Sequence, residues 1–249
     1  MKLNIYETKG KLGVGAAADG ADSIRTAIES RDEANIILAT GASQLEMVTN
    51  LVSIMGIAWE KVTAFHLDEY IGIPESHPAS FRKYLRERFE AKVPGLKVFH
   101  YIEGDHGNTK AECDRINTII RKHPIDVAFV GIGENSHLAF NDPPADFDVE
   151  DPYIVVQLNV ACRMQQLGEG WFETINDVPP SAISMSIRQI MKSKRILVSA
   201  PDMRKASAIK CATEGPVDAM CPASILQTHA DCTIYLDRDS SSKLSGTGG

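Results

Sequence analysis

Short apolar and β-branched runs recur along the chain at Asn35 to Leu38, Val62 to Leu67, Val98 to Ile102, Val127 to Ile132, Ile154 to Leu158, Ile196 to Ser199 and Thr233 to Leu236. Most are continuous rather than alternating, which is the pattern of strands buried on both faces. Between them lie stretches of helical period. Residues 43–55 place Leu45, Val48, Leu51, Val52 and Met55 on one face, and residues 80–89 do the same with Phe81, Tyr84, Leu85 and Phe89. This alternation predicts an α/β fold with a mainly parallel sheet covered by helices on both faces. No repeat, linker or low-complexity stretch divides the chain, so residues 1–239 read as a single domain. The small polar residues from 240 to 249 read as a flexible tail.

Three predicted strand ends carry polar clusters, and chemistry in α/β proteins gathers at such ends. The first is Thr40, Gly41, Ala42 and Ser43. Small residues let a ligand approach the backbone, the amides at the start of the next helix point at an anion, and two hydroxyls add donors. The same residues also suit an ordinary strand-to-helix turn with Ser43 as the N-cap. The second cluster is Asp68 and Glu69 within Phe65 to Tyr70. One carboxylate there can act as a general base if burial raises its basicity, while turn or cap chemistry is the plainer reading. A loop containing Pro74, His77 and Pro78 follows and can cover a site. The third cluster runs from Gly131 to Asp142, where His137 has Asn135, Asn141 and Asp142 as neighbours able to orient its ring. Its glycines are too few for a dinucleotide fingerprint, and no Gly-Lys-Ser/Thr loop is present.

Charge narrows the partners. With 26 Lys and Arg against 33 Asp and Glu the net charge is −7, and no basic block offers a path for nucleic acid. The five cysteines, Cys113, Cys162, Cys211, Cys221 and Cys232, are odd in number and contain no CxxC pair, which suits a reducing cytosol; Cys211 and Cys221 read as small buried apolar residues. No window reaches the roughly 18 apolar residues of a bilayer span, and the N-terminus lacks a signal-type apolar core. The expectation is a cytoplasmic protein with a small-molecule ligand, no nucleic acid and no membrane. Monomer and homo-oligomer both remain open, and Trp171 and Phe172 read as core residues.

Five segments together carry a resemblance over nearly the whole chain: TGAS at 40–43, FHLDEY at 65–70, HPASF at 77–81, VGIGENSHLAFNDP at 130–143 and RKASAIKCATEG at 204–215. In order and spacing they resemble glucosamine-6-phosphate deaminases, within the superfamily that also holds 6-phosphogluconolactonases. HLAFNDP at 137–143 is closer to the deaminase continuation than to the lactonase one. The resemblance implies a three-layer, Rossmann-like domain. It also implies an amino-sugar phosphate isomerase-deaminase that opens the sugar ring, moves a proton between adjacent carbons and releases ammonia to leave fructose 6-phosphate. By position, Asp68 matches the proton-moving carboxylate and His137 the ring-opening histidine. Thr40, Gly41, Ala42 and Ser43 match the phosphate turn, Lys205 matches a phosphate-contacting lysine, and Glu69 is grouped with the substrate-binding residues. Asn135 and Asp142 complete the catalytic set around His137. No metal or cofactor is implied.

Departures from the family pattern are as informative. Asn135 stands where the deaminases carry an aspartate, Ser136 replaces a glycine, and Asp142 replaces a glutamate. Asparagine cannot ionise, so His137 loses one anionic partner, and the short Asp142 can supply another only if its loop moves inward. The family's second phosphate-binding cation, an arginine, has no counterpart in residues 163–172, since Arg163 matches a different arginine. The basic segment of the allosteric deaminases is absent after Pro143, so regulation of that kind is not expected. Two other readings stay open: a lactone hydrolase using His137 to activate water, and a sugar-phosphate sensor with a weakened site.

Overall fold

The strands form where the sequence is continuously apolar, because a strand covered by helices on both sides has no face left for water. A computed structural model describes residues 1–246. In chain order the elements are β1 (Lys2–Tyr6), α1 (Lys9–Arg31), β2 (Ala34–Leu38), α2 (Leu45–Leu51), β3 (Val62–His66), β4 (Asp68–Tyr70), α3 (Phe81–Arg88), β5 (Val98–His100), α4 (Thr109–Ile120), β6 (Val127–Val130), β7 (Tyr153–Gln157), α5 (Val160–Gly168), β8 (Ser181–Met185), α6 (Ile187–Met191), β9 (Arg195–Ser199), α7 (Ala206–Glu214) and β10 (Cys232–Asp237). Seven strands make one sheet in the order β1-β10-β9-β6-β2-β3-β5, and every pairing in it is parallel.

Residues of α1, α2 and α3 form an apolar core on one face of this sheet, and residues of α4, α6 and α7 form the core on the other. The expected α/β architecture, parallel and covered on both sides, is the one observed. Helix α1 is the longest element. Thr8 caps its start by accepting from the Lys11 amide, and Asp32 ends it in the left-handed region at φ 62°. A Cβ on Gly20 would lie 2.3 Å from the Phe129 ring of β6, so only glycine allows the helix this near the sheet.

Three expectations need correcting. The run at 154–158 is a strand, as Tyr153–Gln157, but it pairs antiparallel with β8, which pairs antiparallel with β4 in a separate three-stranded sheet. Met55 leaves the predicted helical face, because α2 ends at Leu51 and Met55 is 86% exposed. The tail does not begin at 240: Ser240 and Ser241 are buried, Leu244 joins the core, and Ser240 exchanges hydrogen bonds with Asp237. Residues 247–249 lie outside the described residues. Among the described residues, no helix is long and apolar enough to cross a membrane.

Candidate active site

Parallel strands bring their carboxyl ends to one edge, and four neighbours in the large sheet, β9, β6, β2 and β3, deliver the polar clusters there. After β2 comes the turn Thr40 to Ser43, after β3 comes Asp68, after β6 comes Gly131 to His137, and after β9 comes Lys205. All border one cavity of about 70 Å³, lined by Thr40, Gly41, Ser43, Asp68, His137 and Lys205 among others. Asp68 and His137 therefore face the same space as the turn and the lysine.

The turn is built to expose backbone. Gly41 has φ +89°, and the amides of Gly41, Ala42 and Ser43 make no hydrogen bond with any described residue. Gln44, not Ser43, occupies the N-cap of α2. Its buried side chain donates to the carbonyls of Val130 at 3.1 Å and Ser199 at 3.4 Å, tying the turn to the ends of β6 and β9. The Lys205 side chain is buried, with 7% of the residue exposed, and Nζ makes no hydrogen bond or ion pair with a described residue; burial lowers its pKa. An unpartnered buried cation beside free amides is chemically suited to an anion. Ala42 borders a second, adjoining cavity instead of this one.

Asp68 and Glu69 separate by strand alternation, since consecutive residues of β4 point to opposite sides. Asp68 borders the cavity with no hydrogen bond or ion pair to any described residue, and burial, with Glu69 adding repulsion, pushes its pKa up to about 8. Glu69 turns away from the cavity. It accepts from the Tyr70 amide at 3.0 Å, the Ser80 hydroxyl at 3.0 Å, the Phe81 amide at 3.2 Å and the Arg82 amide at 2.8 Å, binding β4 to the start of α3. Its expected substrate-binding position is corrected accordingly: its two oxygens accept four hydrogen bonds from the protein. Burial raises its pKa to about 7 against those donors.

His137 is framed by its own loop. A Cβ on Gly133 would lie 2.2 Å from His137 Cε1, so the ring occupies the space that glycine leaves. Asp142 stands within reach of the ring: Oδ1 lies 3.3 Å from His137 Nδ1, without the alignment of a full hydrogen bond. Asn135 Nδ2 donates to the same oxygen at 2.9 Å, and the Asn159 amide donates to Oδ2 at 2.9 Å. Burial alone would raise the Asp142 pKa, but His137, Asn135 and the Asn159 amide outweigh it and bring it below the ordinary value. Asn135 and Asp142 thus stand behind the histidine and do not border the cavity. Asn141 donates to the carbonyls of Leu138 at 2.7 Å and Met185 at 2.8 Å, so it holds the loop and not the ring. Ser136 sits at φ 71°, a conformation in which glycine is unstrained and serine is not.

Several neighbours were not among the expected site residues. Phe81, Phe140, Gln165, Gln166 and Glu169 also border the cavity. Arg163 points elsewhere, bonded to the carbonyls of Ile175 and Val178. His77 stacks on the buried Phe172, while Trp171 is exposed at the second cavity. Cys211 and Cys221, read as separate residues, have Cα atoms 6.4 Å apart and sulfurs in bonding contact, away from the cavity. Among the described residues one set could gather a metal: ligand atoms of His137, Asp142 and Cys162 lie within 4.8 Å of one another. Burial and the Asp142 carboxylate push the Cys162 thiol pKa up, against the thiolate that a metal needs.

A parallel α/β sheet whose carboxyl edge gathers a turn with free amides, a buried lysine, an acid and an imidazole has the form of a small-metabolite enzyme. The chain belongs to the family of glucosamine-6-phosphate isomerases and 6-phosphogluconolactonases, whose model matches residues 7–235. A glucosamine-6-phosphate deaminase of Listeria monocytogenes is 34% identical over 242 residues, covering 97% of this chain and 100% of its own length. That of Exiguobacterium sibiricum is 37% identical over 215 residues, covering 84% and 80%. Among solved structures, a monomeric glucosamine-6-phosphate deaminase superposes with a TM-score of 0.88 at 30% identity, over 98% of this chain and 100% of the other. A 6-phosphogluconolactonase from Shewanella baltica shares the fold, with a TM-score of 0.79 at 18% identity over 95% and 97%.

Proposed function

We propose that this chain is a cytoplasmic amino-sugar phosphate isomerase-deaminase, converting a hexosamine 6-phosphate, foremost glucosamine 6-phosphate, to fructose 6-phosphate and ammonia. One observation carries the reading: Asp68 and His137 border the same cavity as the free-amide turn at 40–43 and Lys205. Phosphate lies against the turn amides and Lys205, which fixes the sugar carbons toward Asp68 and His137. The Asp142 carboxylate favours a proton on His137 Nδ1, leaving Nε2 to exchange a proton with the ring oxygen as the sugar opens. Asp68, with no donor occupying its oxygens, takes the proton from C2 and returns it to C1. Water then releases ammonia from the imine carbon. Proton transfer by a placed carboxylate requires neither metal nor nicotinamide and contributes roughly 100- to 10,000-fold.

Incubation with glucosamine, galactosamine and mannosamine 6-phosphates and with 6-phosphogluconolactone, following ammonia and ketose phosphate, tests this. Stoichiometric ammonia and ketose phosphate from one hexosamine phosphate is the expected result. Acid release from the lactone alone establishes the hydrolase reading, and binding without turnover establishes the sensor.

A further inference from the structure

The anion turn already has a carboxylate in front of it. Glu169, at the end of α5, borders the cavity, and a Cβ on Gly41 would lie 3.7 Å from Glu169 Oε2 and 3.9 Å from Oε1. Lys205 and Glu169 act on each other electrostatically without forming an ion pair, so the lysine remains available to another anion. A phosphate seated on the same turn would meet this carboxylate, and the like charges would repel.

Space argues in the same direction. At about 70 Å³ the cavity beside the turn is much smaller than its neighbour. The adjoining cavity is about 430 Å³, within the range of small-molecule sites. Gly41, Phe81 and Glu169 border both cavities, so Glu169 is part of the partition between them. Lys83, Arg88 and Arg204 border the adjoining cavity and not the first. Arg204 is held by Glu134 at 3.2 Å and Asp202 at 3.4 Å, whereas Lys83 and Arg88 make no ion pair among the described residues. A carboxylate moving off the turn therefore has cations to receive it.

We propose that Glu169 is a displaceable occupant of the phosphate turn: substrate phosphate moves its carboxylate into the adjoining cavity, joining the two spaces, so that Glu169 sets substrate affinity without handling protons. The proposal rests on the sugar-phosphate reading. Glu169 would thus be a specificity-determining residue where the family's second cation is missing. It penalises anions that interact weakly with the turn and admits those that engage both the amides and Lys205.

The test is Glu169→Gln, which keeps the shape and removes the charge, compared with Glu169→Asp, which keeps the charge. For E169Q, KM for the hexosamine 6-phosphate should fall roughly tenfold with kcat within about twofold, the effect of removing one partly screened like charge. Inorganic phosphate, titrated calorimetrically, should bind tighter by a similar factor. E169D should return both values toward wild type, and thermal unfolding verifies that each variant is folded. Unchanged or weaker phosphate binding in E169Q, or a raised KM, overturns the proposal and makes Glu169 a substrate contact or a bystander. If the wild type turns over no hexosamine phosphate, the deaminase reading fails separately, and the phosphate titration alone still decides the role of Glu169.

Discussion

Two aspartates at opposite edges of the parallel sheet are buried to the same degree and treated in opposite ways. Asp126, 5% exposed at the amino edge, binds Arg31, Lys194 at 3.0 Å and the Asn35 amide at 2.8 Å. The side chain of Asp68, 6% exposed at the carboxyl edge, binds nothing among the described residues and has its pKa pushed up to about 8. Burial by itself therefore does not mark chemistry. A buried ionisable group left without partners marks a candidate site, because the fold tolerates its cost where a ligand can supply the missing contacts.

The sharpest way to break the comparison is Asp68→Asn. Turnover should fall about 100- to 10,000-fold while inorganic phosphate binding stays within about threefold, because the proton carrier is lost and the anion turn remains. Equal losses in both would detach Asp68 from proton transfer. In the wild type, kcat/KM should rise with pH through about 8 as Asp68 ionises. The sign for stability is the reverse. A carboxyl whose folded pKa is raised from 3.8 to about 8 favours folding fully below the ordinary value and loses that contribution as pH climbs through 8. Asp68→Asn should accordingly unfold at higher temperature than wild type at pH 9, with a gain on the order of 1–3 kcal/mol.

Asp126→Ala should do the opposite, lowering stability by about 3 kcal/mol in urea unfolding while kcat of the folded enzyme stays the same. A loss of turnover at unchanged stability would contradict the contrast between the two edges. At the anion end, Lys205→Met should raise KM roughly ten- to a hundredfold with a smaller change in kcat, since a charged hydrogen bond to phosphate is removed. The smallest effect is expected of Asn135→Asp. Asn135 donates to Asp142 at 2.9 Å, so a carboxylate in its place repels the partner of His137, and kcat should drop about fivefold. A rise in kcat would mean that asparagine merely weakens an arrangement still tuned for aspartate.

Much of the fold was legible because continuous apolar strands announce a covered parallel sheet, and the polar clusters after β2, β3 and β6 were visible as breaks in that pattern. Helix α1 was not. Gly10, Gly13, Gly15 and Gly20 weaken a helix intrinsically, yet Gly13 and Gly20 are required by close packing on Glu46 and Phe129. The small sheet escaped because β4 has three residues, too few to show a period. Without its pairing, nothing in the Asp68–Glu69 dipeptide tells which carboxylate faces the cavity. Glu169 was invisible for another reason: its relation to Gly41 arises only from tertiary folding, and an acidic side chain near a phosphate turn runs against expectation.

The pairing of β4 with β8 matches Asp68 to Ser184 and Glu69 to Ile183. Deleting or inserting one amino acid just before Asp68 would keep both acids, the neighbouring segments and the composition, yet reverse the parity of the pleat. The longer acid would then be presented to the cavity and the shorter one to the amides of α3, so which acid faces the cavity is a matter of odd and even positions, which length changes in this short strand cannot respect.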